Sequence, residues 1–462
     1  MPAESQTRKI QESKAVLSVA VEQAHEYLRN VNERPVAPSA ESVAALSSFR
    51  ETFPEQPSDP AHVLEMLHKF GAPATVATTG GRYFGFVIGG TLPAALGASW
   101  LANTWDQNAA YRVMSPVAAE LEDVVLQWLR ELFGLPAECG GGFVTCATTA
   151  NFAALAAARH ALLAKQGWNV EENGMFEAPS IGVVVGEEVH ASVLKALGMA
   201  GFGRKRVTVV ETDEQGRMRA DRLPRLSTNS LVCIQAGNVN TGSYDPAREI
   251  CRRAREVGAW VHVDGAFGLW AAASPNYSHL LDGFELADSW ATDAHKWPNI
   301  NYDSGIVFVR DAAALRAPMS VSAAYLQPGT QREPNQQTPE ASRRARGIEL
   351  WAGLKSLGRS GLASLIERTC AHARRFAEGL SKAGYEILNE VVINQALVSF
   401  GSAEKTQEVM RRIQEDGTCW CGGTVWKGRA AMRISASSWV TTEEDVEKSL
   451  AAMIRIARDV GE

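Results

Sequence analysis

Residues Ala287–Arg310 read A-D-S-W-A-T-D-A-H-K-W-P-N-I-N-Y-D-S-G-I-V-F-V-R. Two short apolar runs, Ala287–Thr292 and Ser304–Arg310, have the character of strands and flank a turn carrying His295-Lys296-Trp297. Lys296 has apolar and aromatic neighbours, and no other fixed positive charge beside it. A lysine on such a turn is ordinarily a solvated surface residue. Desolvation gives it a second role, because a partly deprotonated amine can form a Schiff base. Upstream, Val261-His262-Val263-Asp264-Gly265-Ala266-Phe267-Gly268 puts an acid at the end of an apolar strand, followed by small residues. Such an acid, with a Schiff-base lysine later in the chain, is what pyridoxal phosphate needs. The carboxylate keeps the pyridine nitrogen protonated, so the ring can act as an electron sink.

The composition sets bounds on this reading. A chain of 462 residues is too long for one small core and predicts two or three domains. An apolar fraction of 45% and a charged fraction of 21% are those of an ordinary soluble globular protein. The net charge of −6, without a basic block, argues against a nucleic-acid surface. Seven cysteines make no disulfide framework in so long a chain, and Cys419-Trp420-Cys421 is too closely spaced for a common zinc site. No metal is expected. The first residues lack the apolar core of a signal peptide, and no run reaches the roughly 18 apolar residues that span a bilayer. The expectation is a cytoplasmic protein without a membrane partner.

The H-V-D-x-A and x-x-H-K-W stretches, in this order, resemble the group II pyridoxal-phosphate decarboxylases. That family includes the aromatic-amino-acid, histidine and glutamate decarboxylases. The resemblance runs from about Arg82 to Trp351 and more weakly beyond. It implies an α/β chain with the aspartate-aminotransferase type of fold (fold type I), its large domain built on a mostly parallel seven-stranded sheet. A helical N-terminal arm would occupy residues 1–75, the large domain 76–340, and a small α+β domain 341–462. It also implies a homodimer with shared active sites, the arm wrapping the partner subunit; packing on its own chain is the other reading of that arm.

The resemblance implies site residues too. Lys296 would hold the cofactor, Asp264 pair with the pyridine N–H, His190 stack on the ring and Ala266 pack on its other face. His190 lies in Glu187-Glu188-Val189-His190-Ala191-Ser192, which matches the family's E-x-x-H-x-S. Ala147, Thr148 and His295 would hold the phosphate. Gly140–Asn151 is a stretch of small and hydroxyl residues leading into a helix Phe152–Lys165, and a helix N-terminus suits an anion. Asn238 stands where relatives carry a threonine near the cofactor's phenolic oxygen. Gly89 and Gly90 stand where aromatic-specific relatives carry bulkier residues, in a stretch that lines the substrate entrance. Trp105, Gln107, Asn108 and Tyr111 are pocket candidates on the same ground. Arg433 sits where many enzymes of this fold hold a substrate carboxylate, and an internal ion pair is its other reading.

The expected reaction is α-decarboxylation of an L-amino acid. Transamination, aldol-type cleavage and oxidative decarboxylation–deamination to an aldehyde use the same cofactor and remain alternatives; an inactive scaffold is a further one. In many of these decarboxylases a tyrosine on a mobile loop protonates the substrate carbanion. The corresponding stretch here, Leu326–Ala345, contains neither tyrosine nor histidine, and Tyr325 lies just before it.

Overall fold

The computed structural model describes residues 2–320 and 331–461. Seven strands form the larger sheet: β1 (Gly140–Val144), β2 (Gly182–Gly186), β3 (Val207–Val210), β4 (Ser230–Gln235), β5 (Trp260–Asp264), β6 (Ser289–Asp293) and β7 (Gly305–Val309). Their spatial order is β1-β7-β6-β5-β4-β2-β3. Strands β6, β5, β4, β2 and β3 run parallel, while β7 is antiparallel to both β1 and β6. The inner strands β4 to β7 are buried throughout, because helices cover both faces, and β4 and β7 accordingly read as near-continuous apolar runs.

Strand β1 was expected to be loop, since three of its five residues are glycine. Packing explains them: a Cβ on Gly141 would lie 2.9 Å from Leu126, and one on Gly142 2.8 Å from the Gln337 carbonyl. The glycines admit close neighbours to a paired strand. The following helix starts earlier than expected, spanning Ala147–Ala164.

A second sheet contains β8 (Glu386–Ile387), β9 (Gln395–Ser399), β10 (Gly422–Trp426) and β11 (Arg429–Ser435), all antiparallel, in the order β10-β11-β9-β8. The helix Arg346–Lys382 joins the two cores. Leu350, Leu362 and Ile366 pack into the larger core, and Ala373, Phe376 and Leu380 into the smaller one. It breaks at Gly358, whose φ of 62° favours glycine. The last helix, Glu443–Asp459, opens on a capping box made by Thr442 and Asp445. The N-terminal helix Pro2–Asn30 leaves Ile10, Leu17 and Leu28 exposed. Among the described residues no helix is long and apolar enough to cross a membrane.

The expected mobile loop Leu326–Ala345 falls partly outside the described residues, as does Tyr325. Residues 331–345 are tied down by two arginines. Arg332 pairs with Glu122 and Asp123 and donates to the Gly141 carbonyl; Arg343 pairs with the fully buried Glu122 and donates to the Phe143 carbonyl.

Candidate active site

The C-terminal ends of the parallel strands are where an open α/β sheet gathers its functional groups. Asp264 closes β5 there and is buried. Its Oδ1 accepts the Ala266 N–H at 3.2 Å, and Asn151 Nδ2 and Ser192 Oγ approach its Oδ2 at 3.4 and 3.5 Å. His190 is the N-cap of the helix Ala191–Met199, with its Nδ1 2.7 Å from Ser192 Oγ. Burial holds this imidazole below its ordinary pKa against the pull of Asp264, so the ring is neutral.

Lys296 follows β6 on a turn held from several sides. Trp297 is fully buried and donates through Nε1 to Thr369 Oγ1 at 2.8 Å. Asn299, at φ 61°, donates to the Ser437 carbonyl and accepts the Trp439 N–H. The Ser304 N–H donates to His295 Nδ1 at 3.0 Å, which leaves the proton of the neutral ring on Nε2. Burial lowers the His295 pKa despite Asp293 beside it.

Gly89 packs against this turn. A Cβ there would lie 2.4 Å from the Lys296 carbonyl oxygen and 2.6 Å from Asn299 Nδ2. Its small size is thus required by the lysine turn. Gly90 has φ 79°, a conformation that itself favours glycine.

Lys296, Asp264, His190 and Ala266 line one cavity of about 370 Å³, together with Phe86, Gly237, Asn240 and Arg433. Phe86 and Phe267 put two aromatic rings on its lining, and Phe86 in turn stacks on Trp420 at 5.6 Å, and Trp420 on Tyr83 at 5.1 Å. Arg433 is desolvated, which lowers its pKa; its Nη1 donates to the Val239 carbonyl at 3.1 Å. No carboxylate among the described residues pairs with it, so the expected alternative of an internal ion pair is not realised.

Asn238 does not line this cavity. Its Oδ1 accepts the N–H groups of Asn240 and Thr241, an Asx turn, and Asn240 of the same turn faces the cavity instead. Trp105, Gln107, Asn108 and Tyr111 are likewise absent from its lining. Asn108 holds the loop at Ser342 and Arg343.

Ala147, Thr148 and His295 are absent from this lining, and Ala147 and His295 both meet Asp293. This buried carboxylate was missed in the sequence reading. Its Oδ1 accepts the Ala147 N–H at 2.6 Å; Lys296 Nζ is 3.2 Å from its Oδ2, and His295 Nε2 3.6 Å. The D-A-H-K spacing was its only signal. The helix beginning at Ala147 has no side-chain cap from Cys146. An uncapped helix N-terminus, an imidazole N–H and an ammonium therefore converge on one anionic group.

These residues suit pyridoxal phosphate at both ends: an amine and a buried carboxylate share one cavity, and anion donors lie just behind the amine. A family model described as the pyridoxal-dependent decarboxylase conserved domain matches residues 44–402. The aromatic-L-amino-acid decarboxylase of Drosophila lebanonensis is 30% identical over 77% of this chain and 90% of its own length. The 4-hydroxyphenylacetaldehyde synthase of Rhodiola rosea is 28% identical over 76% of this chain and 74% of its own. A crystal structure of Oryza sativa TDC with PLP and tryptamine superposes with a TM-score of 0.90 at 22% identity, covering 97% of this chain and 98% of that one. The fold is therefore the expected fold type I.

Proposed function

The chain belongs to the pyridoxal-dependent decarboxylase family, and from that premise we propose how its own residues perform the reaction. The chain is a pyridoxal-phosphate-dependent lyase that removes the α-carboxylate of an L-amino acid. When bound, the cofactor supplies a carbonyl that condenses with amines and a ring that withdraws electrons once its nitrogen is protonated. Lys296 is the amine that holds it and yields to the substrate amine. Asp264 keeps the proton on the ring nitrogen. Neutral His190 stacks on one face of the ring without adding charge, and Ala266 packs on the other. Ala147, Thr148 and His295 hold the phosphate, and Asp293 counters the charge of Lys296 while the lysine is free. The observation that carries this reading is the convergence of Lys296, Asp264, His190 and Ala266, from three separate segments, on one cavity.

Arg433, a half-buried guanidinium in the cavity lining without a carboxylate partner, binds a carboxylate of the substrate. Phe86 and Phe267 in the cavity lining suit an aromatic side chain, in keeping with the names of the relatives. Purified protein supplied with the cofactor and each common L-amino acid in turn, with products identified by mass spectrometry, tests this. Release of carbon dioxide from none of them would defeat it.

A second reading rests on the loop. Leu326–Ala345 offers no tyrosine or histidine to quench a carbanion. One positioned acid contributes roughly 10²–10⁴-fold, enough to change which product dominates. In this reading the enzyme is a weak amine producer from aromatic amino acids and forms an aldehyde in air, as the name of the Rhodiola relative suggests. Efficient amine formation without aldehyde or 2-oxo acid excludes it.

The chain acts as a homodimer, with residues 1–75 as the arm that packs on the partner, 76–340 as the cofactor-binding domain and 341–462 as the small domain. Exposed Ile10, Leu17 and Leu28 on the arm, and Val113 at 87% exposure, support this. A fully active monomer in analytical ultracentrifugation would contradict it.

A further inference from the structure

Behind Asp264, away from the cavity, lies a row of buried polar groups that the proposed reaction does not use. Trp260 Nε1 is 2.9 Å from Ser289 Oγ, and Ser289 Oγ is 3.0 Å from His262 Nδ1. His262 Nε2 is 2.9 Å from Asn151 Oδ1, and Asn151 Nδ2 is 3.4 Å from Asp264 Oδ2. Ser289, His262 and Asn151 have no exposed surface. The fold brings them together: His262 and Ser289 are register partners on β5 and β6, and Asn151 comes from the helix Ala147–Ala164.

The direction of this row follows from its last member. An ionised carboxylate only accepts hydrogen bonds, so Asn151 must turn its NH₂ toward Asp264 and its Oδ1 toward His262. His262 then carries its proton on Nε2 and accepts at Nδ1. The Ser289 hydroxyl must donate to Nδ1, and the lone pairs left on Oγ accept the Trp260 indole N–H, which can only donate. Every group is satisfied in this direction. Reversing the imidazole would set the Asn151 carbonyl against the Asp264 carboxylate, acceptor against acceptor. The relay needs a neutral imidazole, and burial pushes the His262 pKa down to about 4 against the pull of Asp264.

We propose that His262 and Asn151 are positioning residues, which hold the Asp264 carboxylate aimed at the ring nitrogen of the bound cofactor through this directed relay. The proposal rests on the role given above to Asp264. Without the relay Asp264 loses a donor that fixes its orientation. A buried carboxylate so deprived rotates away, and the ring nitrogen loses its partner.

The test uses the full-length protein loaded with pyridoxal phosphate labelled with ¹⁵N at the ring nitrogen, whose chemical shift reports protonation directly. Wild type is expected to show a protonated nitrogen. His262→Phe shifts toward the unprotonated form, whereas His262→Gln, whose amide can still donate to Asn151, stays near wild type. Affinity for the cofactor falls roughly 10-fold or more in His262→Phe, the size of one hydrogen bond to a charged group. Affinity for 1-deaza-pyridoxal phosphate, which lacks the nitrogen, is the same in both proteins. Should His262→Phe not fold, Ser289→Ala removes the donor to Nδ1 and shifts the signal in the same direction. A protonated nitrogen retained in both His262→Phe and Ser289→Ala, or in Ser289→Ala alone where the first does not fold, with Asp264→Asn deprotonated, overturns the relay alone. An unprotonated nitrogen in wild type overturns the role of Asp264 beneath it.

Discussion

Replacing Asp293 by asparagine tests the charge balance behind Lys296. The carboxylate is 2% exposed and meets three donors: the Ala147 N–H at 2.6 Å, Lys296 Nζ at 3.2 Å and His295 Nε2 at 3.6 Å. Asparagine keeps an acceptor for the Ala147 N–H but has no charge to offset the lysine, whose side chain is 21% exposed. Hydrogen bonds to charged groups contribute about 1.5–3 kcal/mol, and breaking a fully buried pair costs about 3–5 kcal/mol. The partial exposure of Lys296 puts the expected loss near the lower range, about 2 kcal/mol, in the cofactor-free protein. Bound cofactor changes the sign. Its phosphate is held by Ala147, Thr148 and His295 in the proposed arrangement, close to the Asp293 carboxylate, and like charges oppose each other. Asp293→Asn should therefore destabilise the cofactor-free protein in urea unfolding while tightening pyridoxal phosphate several-fold in fluorescence titration. Pyridoxal, which lacks the phosphate, should not gain. Unchanged cofactor-free stability, or an equal change in affinity for both ligands, would refute the reasoning.

Three further outcomes follow from the same geometry. Asp264→Asn should still bind cofactor yet lose orders of magnitude in turnover, because a ring without a protonated nitrogen takes up electrons poorly; near-normal steady-state rates would remove its role. Gly89→Ala drives a Cβ to 2.4 Å from the Lys296 carbonyl, so it should cost about 1–3 kcal/mol and slow cofactor capture, measured by denaturation and by stopped-flow absorbance. His262 has a folded pKa of about 4 against an ordinary 6.5. The unfolded chain therefore binds the extra proton in that window, and stability rises with pH across it. As pH falls from about 6.5 to about 4 the protein should lose up to about 3 kcal/mol from this group. His262→Gln should flatten that part of the stability profile, and an unchanged slope would show that another group is responsible.

The strands around Lys296 and Asp264 were legible because their cues are local: an apolar run, an acid at its end, a lysine on the next turn. Asp293 was not, because its partner Ala147 is 146 residues away and the acid alone reads as a strand end. The relay behind Asp264 joins Asn151, His262 and Ser289, which only sheet register brings together. Gly89, Gly141 and Gly142 gave no local clue to their role, since each is small because a neighbour distant in the chain occupies the space a side chain would take. The loop after residue 330 looked free because the charges that hold it, Glu122 and Asp123, lie on a helix some 200 residues earlier.

The central claim is that Lys296 is the amine that binds the cofactor. Borohydride reduction of the protein loaded with pyridoxal phosphate, followed by proteolysis and peptide mapping, tests it directly. The account predicts a single pyridoxyl group on the peptide containing Asp293-Ala294-His295-Lys296-Trp297, at Lys296. A pyridoxyl group on any other lysine, with Lys296 unmodified, would contradict it.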